Sequence, residues 1–414
     1  MSHPSTPRHH VFSDITKEPQ TMTDDSRSLV HLRSRRIGRL ALALACAMAA
    51  CLSLASAPAS AKLVHVFEGN FSGADTPGGS LGLPTGAAID NSAGPSAGDL
   101  YVGGPSGFGG PSAIVKLDPS GAYAGVEITG AETPQGSIGM FNFETFAASS
   151  GIAVDGSAGP HAGDIYVADL EHGVLDRFDE KGKFLCQITG KVPSTTAEEE
   201  AECAGAAGKA VPGGFSANEV AVNPVNGDVY VADASHAAID EFNQAGEYTG
   251  RLESPEITRP GSIAFNSTGE LYLVNGSRFE PGNVVKFDSA STFAAEIDNT
   301  SDTSVAVDPA DDHVYVYRQY EEEVGEIAEY DPTGSHLLDA FGAEQNAYRP
   351  SLAISASTGK IYLTDFFALL GRPSDIYGPG LIIPDLSTAA ATEVEETTAT
   401  LNGEVDPAGG SEVQ

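Results

Sequence analysis

A phrase of about 42 residues recurs along this chain, and a unit too short to bury its own apolar face must stack against its copies. The phrase opens on an apolar run ending in Asp or Asn, makes a short turn, and continues as G-D-x-Y-V-A-D. Its copies read GAAID with GDLYVGG, GIAVD with GDIYVAD, EVAVN with GDVYVAD, SIAFN with GELYLVN, SVAVD with DHVYVYR, and SLAIS with GKIYLTD. The anchors are Asp90, Asp155, Asn223, Asn266, Asp308 and Ser355, so the longest spacings follow the first two copies. A third run ends in Asp or Asn (Asp118, Asp179, Asn243, Asp288, Asp331). A Gly-bearing turn such as DPSGA or DEKGK and a fourth run come next.

Four short β-branched and aromatic strands per unit, separated by Gly, Asp and Asn turns, predict an all-β chain folded as a β-propeller with one blade per copy, hence six blades. The period-2 patterning excludes a helical solenoid. The sixth unit runs into Pro384 before any fourth strand, whereas Lys62 to Gly69 (KLVHVFEG) reads as a fourth strand without a blade. The N-terminal strand is therefore expected to complete the last blade and close the ring, leaving no free edge.

The repeat resembles that of six-bladed propellers of the NHL-repeat and TolB-like group, best in Gly151 to Asp169 with Phe178-Asp179, and the resemblance covers about 320 residues. Zero Trp separates it from WD-type blades. Among propeller enzymes, the gluconolactonase-like type holds a divalent metal with Glu, Asn and Asp at the channel mouth. Here the inner strands open on Gly86, Gly151, Glu219, Ser262, Ser304 and Ser351, of which Glu219 alone is acidic.

Before the propeller, residues 1–61 read as a leader. Arg33, Arg35, Arg36 and Arg39 precede the uncharged run Leu40 to Leu54, and Ala59-Ser60-Ala61 supplies the small residues of a cleavage site, so a signal peptide is expected to end before Lys62. The propeller is assigned residues 62–384. Residues 385–414, rich in Thr, Ala and Glu, are assigned to a linker and the opening strands of a truncated Ig/fibronectin-like β-sandwich, because so short a segment falls far below the ~100 residues a sandwich needs. That points to an exported bacterial multi-domain protein, secreted or at the cell surface, with the propeller monomeric. Cys186 and Cys203 are the pair left after leader removal and are expected to form a disulfide.

The whole chain carries 22 basic and 57 acidic side chains, and residues 62–414 carry 15 and 53. Nucleic acid and anionic lipid, which need a basic footprint, are excluded as partners. The ends of the second strands place Gly104, Asp169, Asp233, Asn275, Arg318 and Asp365 around one mouth of the ring, with Glu219 beside them. Three acids and an amide suit a hard cation such as Ca2+. An Asp recurring at one register is also explained by capping of its own turn, so no cofactor, metal or catalytic residue is expected. His172 and His236 each follow a repeat Asp by three residues.

On the same face, two inserts (Ala131 to Ser149 and Lys191 to Ala217) lie beside loops bearing Phe108, Phe279, Tyr320, Phe366, Phe367, Leu369 and Leu370. An apolar rim of this kind marks a binding surface for a protein, peptide or glycan, unless it packs under the inserts as a lid. A metal-dependent lactonase- or lyase-type enzyme is the alternative.

Overall fold

The computed structural model describes residues 62–141, 151–191, 202–203, 209–214, 216–277, 280–321, 324–342, 347, 350–383, 385–392, 394, 398 and 400–406. The leader and cleavage site lie outside them. Apart from one 3-10 turn (Ala368–Leu370), every regular element among the described residues is a strand. None of the described helices is long and apolar enough to cross a membrane.

Three units each fold into an antiparallel four-stranded sheet in chain order. Sheet one holds Gly86–Ile89, Leu100–Pro105, Ser112–Leu117 and Tyr123–Ile128. Sheet two holds Ile152–Val154, Ile165–Asp169, Val174–Phe178 and Phe184–Ile188. Sheet three holds Glu219–Val222, Val229–Asp233, Ala238–Phe242 and Tyr248–Leu252.

The next two units do not separate as the repeat predicts. They form one seven-stranded sheet from Pro260–Phe265 to Leu337–Phe341, because Phe293–Val307 runs on as the fourth strand of one unit and the first of the next. Phe287 faces Phe293 at its start and Val314 faces Val307 at its end. Its fifteen residues contain neither Gly nor Pro, so nothing in them breaks the extended backbone.

The closing sheet takes Leu352–Ile354, Ile361–Leu363 and Ser374–Tyr377 from the last unit and Phe67–Phe71 as its fourth strand. The expected closing strand, Lys62 to Gly69, is thus shifted and split. Lys62–Val64 pairs instead with Leu381–Ile383, and the pairing to Tyr377 starts at Phe67. Asp385–Thr392 and Thr400–Asp406 form a separate two-stranded pairing within the segment assigned to a linker and opening strands.

The first strands touch one another in succession, and Leu352–Ile354 touches Gly86–Ile89, which closes the cycle. Sheets radiating from a ring of inner strands are the architecture of a β-propeller. The core accordingly lies in layers between neighbouring sheets. Leu100, Val102 and Leu117 meet Tyr362, Ile376 and Phe71 across the closure, and Tyr166 and Leu175 meet Val229, Val231 and Phe242 between sheets two and three.

At three copies the buried Tyr of the Y-V phrase reaches the third-to-fourth turn of the next unit, whereas the buried Tyr166 hydroxyl has no such partner. Tyr101 donates to the Glu180 carbonyl (3.3 Å), Tyr272 to Pro332 (3.4 Å) and Tyr362 to Pro119 (2.8 Å). Those turns are built alike. The carboxylate of Asp118 accepts from the N–H groups of Ser120 and Ala122, and Gly121 supplies a φ of 85°. At the equivalent place after Asp288 stands Ser291, with φ 59°. A left-handed non-Gly residue costs about 1 kcal/mol, so Ser291→Gly is expected to raise stability by about that amount in urea unfolding.

Candidate functional site

The mouth at the ends of the second strands is where the repeat puts its polar residues, and each of them there is engaged. Asp169 is fully buried. Its Oδ1 accepts from the N–H groups of His172 (3.1 Å) and Gly139 (3.2 Å), and its Oδ2 meets His172 Nδ1 at 2.8 Å. Asp233 repeats this with Ser235 and His236, and Arg251 Nη2 stands 3.3 Å from its Oδ2. Asp365 accepts from the N–H of Phe367 at 2.7 Å and lies 3.9 Å from Arg372. Asn275 accepts from the Thr258 N–H at 3.0 Å and donates to the Glu256 carbonyl.

Arg318 donates to Asp298 (2.6 Å), Glu326 (3.1 Å) and the Tyr330 hydroxyl (2.6 Å). Glu219 leans over the inner strand of sheet two, where a Cβ on Gly151 would lie 1.8 Å from its Oε2. At Gly104 a Cβ would lie 2.1 Å from the Leu83 carbonyl, so sheet one carries no side chain at this register. Asp169, Asp233 and Asp365 sit on separate sheets and each caps the turn that follows it. Among the described residues no group of three or more His, Cys, Asp or Glu is placed to hold a metal ion.

A second shell of acids under the mouth was not anticipated. Asp176 and Asp240 face Val167 and Val231 from the third strands of sheets two and three, beneath Asp169 and Asp233, and Asp375 faces Leu363 beside Asp365. What partners each from the fourth strand differs. Asp240 receives Arg251 Nε at 2.7 Å, and Asp176 receives the Gln187 amide at 2.7 Å with its Oδ2 unpartnered. Burial, with Asp169 adding to it against the help of Gln187, pushes Asp176 up to about 7. Burial and the charge of Asp365 push Asp375 up to about 7. Asp302, fully buried with neither oxygen hydrogen-bonded, is pushed up to about 8 by burial and Asp298. The sequence signal was an Asp interrupting an apolar strand, as in VLDRF and AIDEF.

The residues expected on the apolar rim differ in exposure. Phe108 is 57 % and Leu370 67 % exposed, with Leu369 and Tyr320 also exposed. The rings of Phe108 and half-buried Phe367 lie 6.4 Å apart, and a Cβ on Gly107 would lie 3.5 Å from Leu369, so loops of sheet one and the closing sheet share one patch. Phe366 does not belong to the rim. The Asp365 turn aims it inward, where it is 1 % exposed and packs on Leu83, Phe141 and Phe367 as the floor of the patch. Phe279 lies outside the described residues.

The inserts start as packing elements. Ile138 and Met140 enter the layer between sheets one and two, and Val211 that between two and three. Cys186 and Cys203 are disulfide-bonded, with Cα atoms 4.9 Å apart, and tie the second insert to the fourth strand of sheet two.

Compared with known proteins, the sequence matches no family model and no curated protein. Among solved structures, the chain is similar to a virginiamycin B lyase from Staphylococcus aureus (13 % identity, 74 % of this chain and 82 % of that one, TM-score 0.42). It is also similar to a chain of a nidogen/laminin complex (13 %, 65 % and 83 %, TM-score 0.43) and to the WD40 β-propeller domain of Doa1 (9 %, 71 % and 78 %, TM-score 0.42). Likenesses this distant carry no argument about activity, and the propeller assignment rests on the strand pairing of the chain itself.

Proposed function

We propose that residues 62–384 form a six-bladed propeller of the NHL-repeat and TolB-like group, exported to the cell surface or medium. In this reading it is a binding or scaffold module that recognises a protein, peptide or glycan through the insert-bearing face. The observation that carries it is the patch of Phe108, Phe367, Leu369 and Leu370 over the buried floor of Phe366, Phe141 and Leu83. Exposed aromatic and aliphatic side chains on a rigid base are what an interface uses as anchors. The acids of the mouth, spent on their own turns and on Arg251 and Arg372, favour this over the lactonase or lyase alternative. The disulfide supports an oxidising compartment, and the excess of acid over base argues against nucleic acid.

The test uses the purified protein on a glycan array and a random-peptide display library. The double variant Phe108→Ser, Leu370→Ser is then compared on whatever is bound. Loss of at least tenfold in affinity with an unchanged unfolding midpoint is expected, since both side chains are already exposed. Binding indifferent to the two substitutions, or a stoichiometric divalent metal in the purified protein, would overturn the reading.

A further inference from the structure

For Tyr101, Tyr272 and Tyr362 the neighbouring unit offers a third-to-fourth turn to bond. The closing sheet has no such turn, because its fourth strand comes from the other end of the ring. Tyr315 stands at the tyrosine position facing it and donates instead to Glu329 Oε1 at 3.0 Å. Glu329, on the third strand of the last unit in the seven-stranded sheet, is 2 % exposed. Its Oε1 also meets His313 Nδ1 at 2.6 Å, and its Oε2 lies 2.7 Å from His65 Nε2. His65 occupies the link between Lys62–Val64 and Phe67–Phe71, buried and stacked on Phe341 at 4.2 Å. Its other nitrogen, Nδ1, lies 3.0 Å from the Gly378 carbonyl in the closing sheet.

Both partners of this ring are acceptors. A neutral imidazole has a single N–H and satisfies one of them, whereas the imidazolium donates to both. We propose that protonated His65 clasps the ring shut, bonding Gly378 and Glu329 at once across the sheet boundary, so that attachment of the N-terminal strand is gated by pH.

The surroundings agree in sign. Burial alone would lower the pKa of His65, but the Glu329 hydrogen bond, the Gly378 carbonyl and the charges of Glu329 and Asp339 outweigh it and leave it raised. Burial alone would raise Glu329, and the hydrogen bonds from His65, His313 and Tyr315 outweigh that and leave it lowered. Asp308 and Asp311 also face this cluster, Asp311 at 3.8 Å from His313. A raised His contributes stability that is complete below its ordinary pKa of about 6.5 and is lost as pH rises through the folded value. A lowered Glu contributes stability that is lost as pH falls through its folded value. The clasp therefore holds between those two limits and opens above the upper one.

The test is carried out on the full chain. With histidine labelled at Cε1, the His65 resonance is expected to titrate above the ordinary histidine value of about 6.5. Hydrogen exchange of the Phe67–Phe71 amides, corrected for intrinsic rate, is expected to be at least tenfold slower at pH 6 than at pH 9. His65→Gln, which offers one amide donor group and no charge, is expected to abolish that difference. A neutral His65 throughout, pH-independent exchange at Phe67–Phe71, or an unchanged pH difference in His65→Gln would each overturn the proposal. The first two measurements need only the unmodified chain, so they decide the matter even if the variant does not fold.

Discussion

Deleting residues 62–71 is expected to cost more than about 5 kcal/mol and to destroy the single cooperative unfolding transition of the ring. Phe71 is buried against Tyr362 and packs where Gly121 leaves room, and truncating a buried Phe costs about 3–5 kcal/mol by itself. The deletion also strips the hydrogen-bonded neighbour from Ser374–Tyr377, turning a closed ring into one with a bare edge. It removes His65 and leaves Glu329 buried without that partner. Against a total stability of roughly 5–15 kcal/mol, little remains. Circular dichroism during urea unfolding measures it directly. A truncated chain with the wild-type midpoint and slope would show that Phe67–Phe71 does not hold the ring closed.

The second large effect concerns the buried acids. Asp176, at about 7 in the folded chain, holds its proton between about pH 4 and about pH 7, where the unfolded chain has released it. Folded protein then binds more protons than unfolded, so stability falls as pH rises across that window and levels off above it. Asp176→Asn removes this titration while its amide oxygen still accepts from Gln187. The variant is expected to match wild type near pH 4 and to exceed it by about 4 kcal/mol at pH 8, since the shift is about three pKa units and each is worth about 1.4 kcal/mol. Asp375→Asn should behave in the same way, for burial and Asp365 hold that proton too. Urea midpoints at pH 4, 6 and 8 test both, and a stability difference that does not change with pH would refute the assignment.

Much of this architecture was legible because the repeat is written in residues whose physics is local. An alternating Ile-Tyr-Val run makes a strand, and an Asp with a Gly three positions on makes a turn whose carboxylate and positive φ are visible in Asp118 and Gly121. The closing strand was legible by subtraction, though not its register, since KLVHVFEG alternates equally well in either placement. The fused sheet was not legible, because Phe293 to Val307 differs from its counterparts only in lacking a breaker. Of the rim, Phe108 and Phe367 were readable from their loop, but Phe366 was not. Which of two consecutive aromatic side chains points inward depends on the Asp365 carboxylate accepting from the Phe367 N–H. The acids under the mouth escaped for a related reason. Asp176 and Asp240 look alike in sequence, and only the strand that crosses them reveals Gln187 under one and Arg251 under the other.

The fifteen-residue strand shared by two units has a mechanical consequence. Elsewhere each unit forms a sheet of its own and can tilt against its neighbour, whereas these two units are stitched into one sheet by a shared strand. If a ligand widens or narrows the bore, the hinge motion must be taken up at the other boundaries, and this arc will move as a single lever.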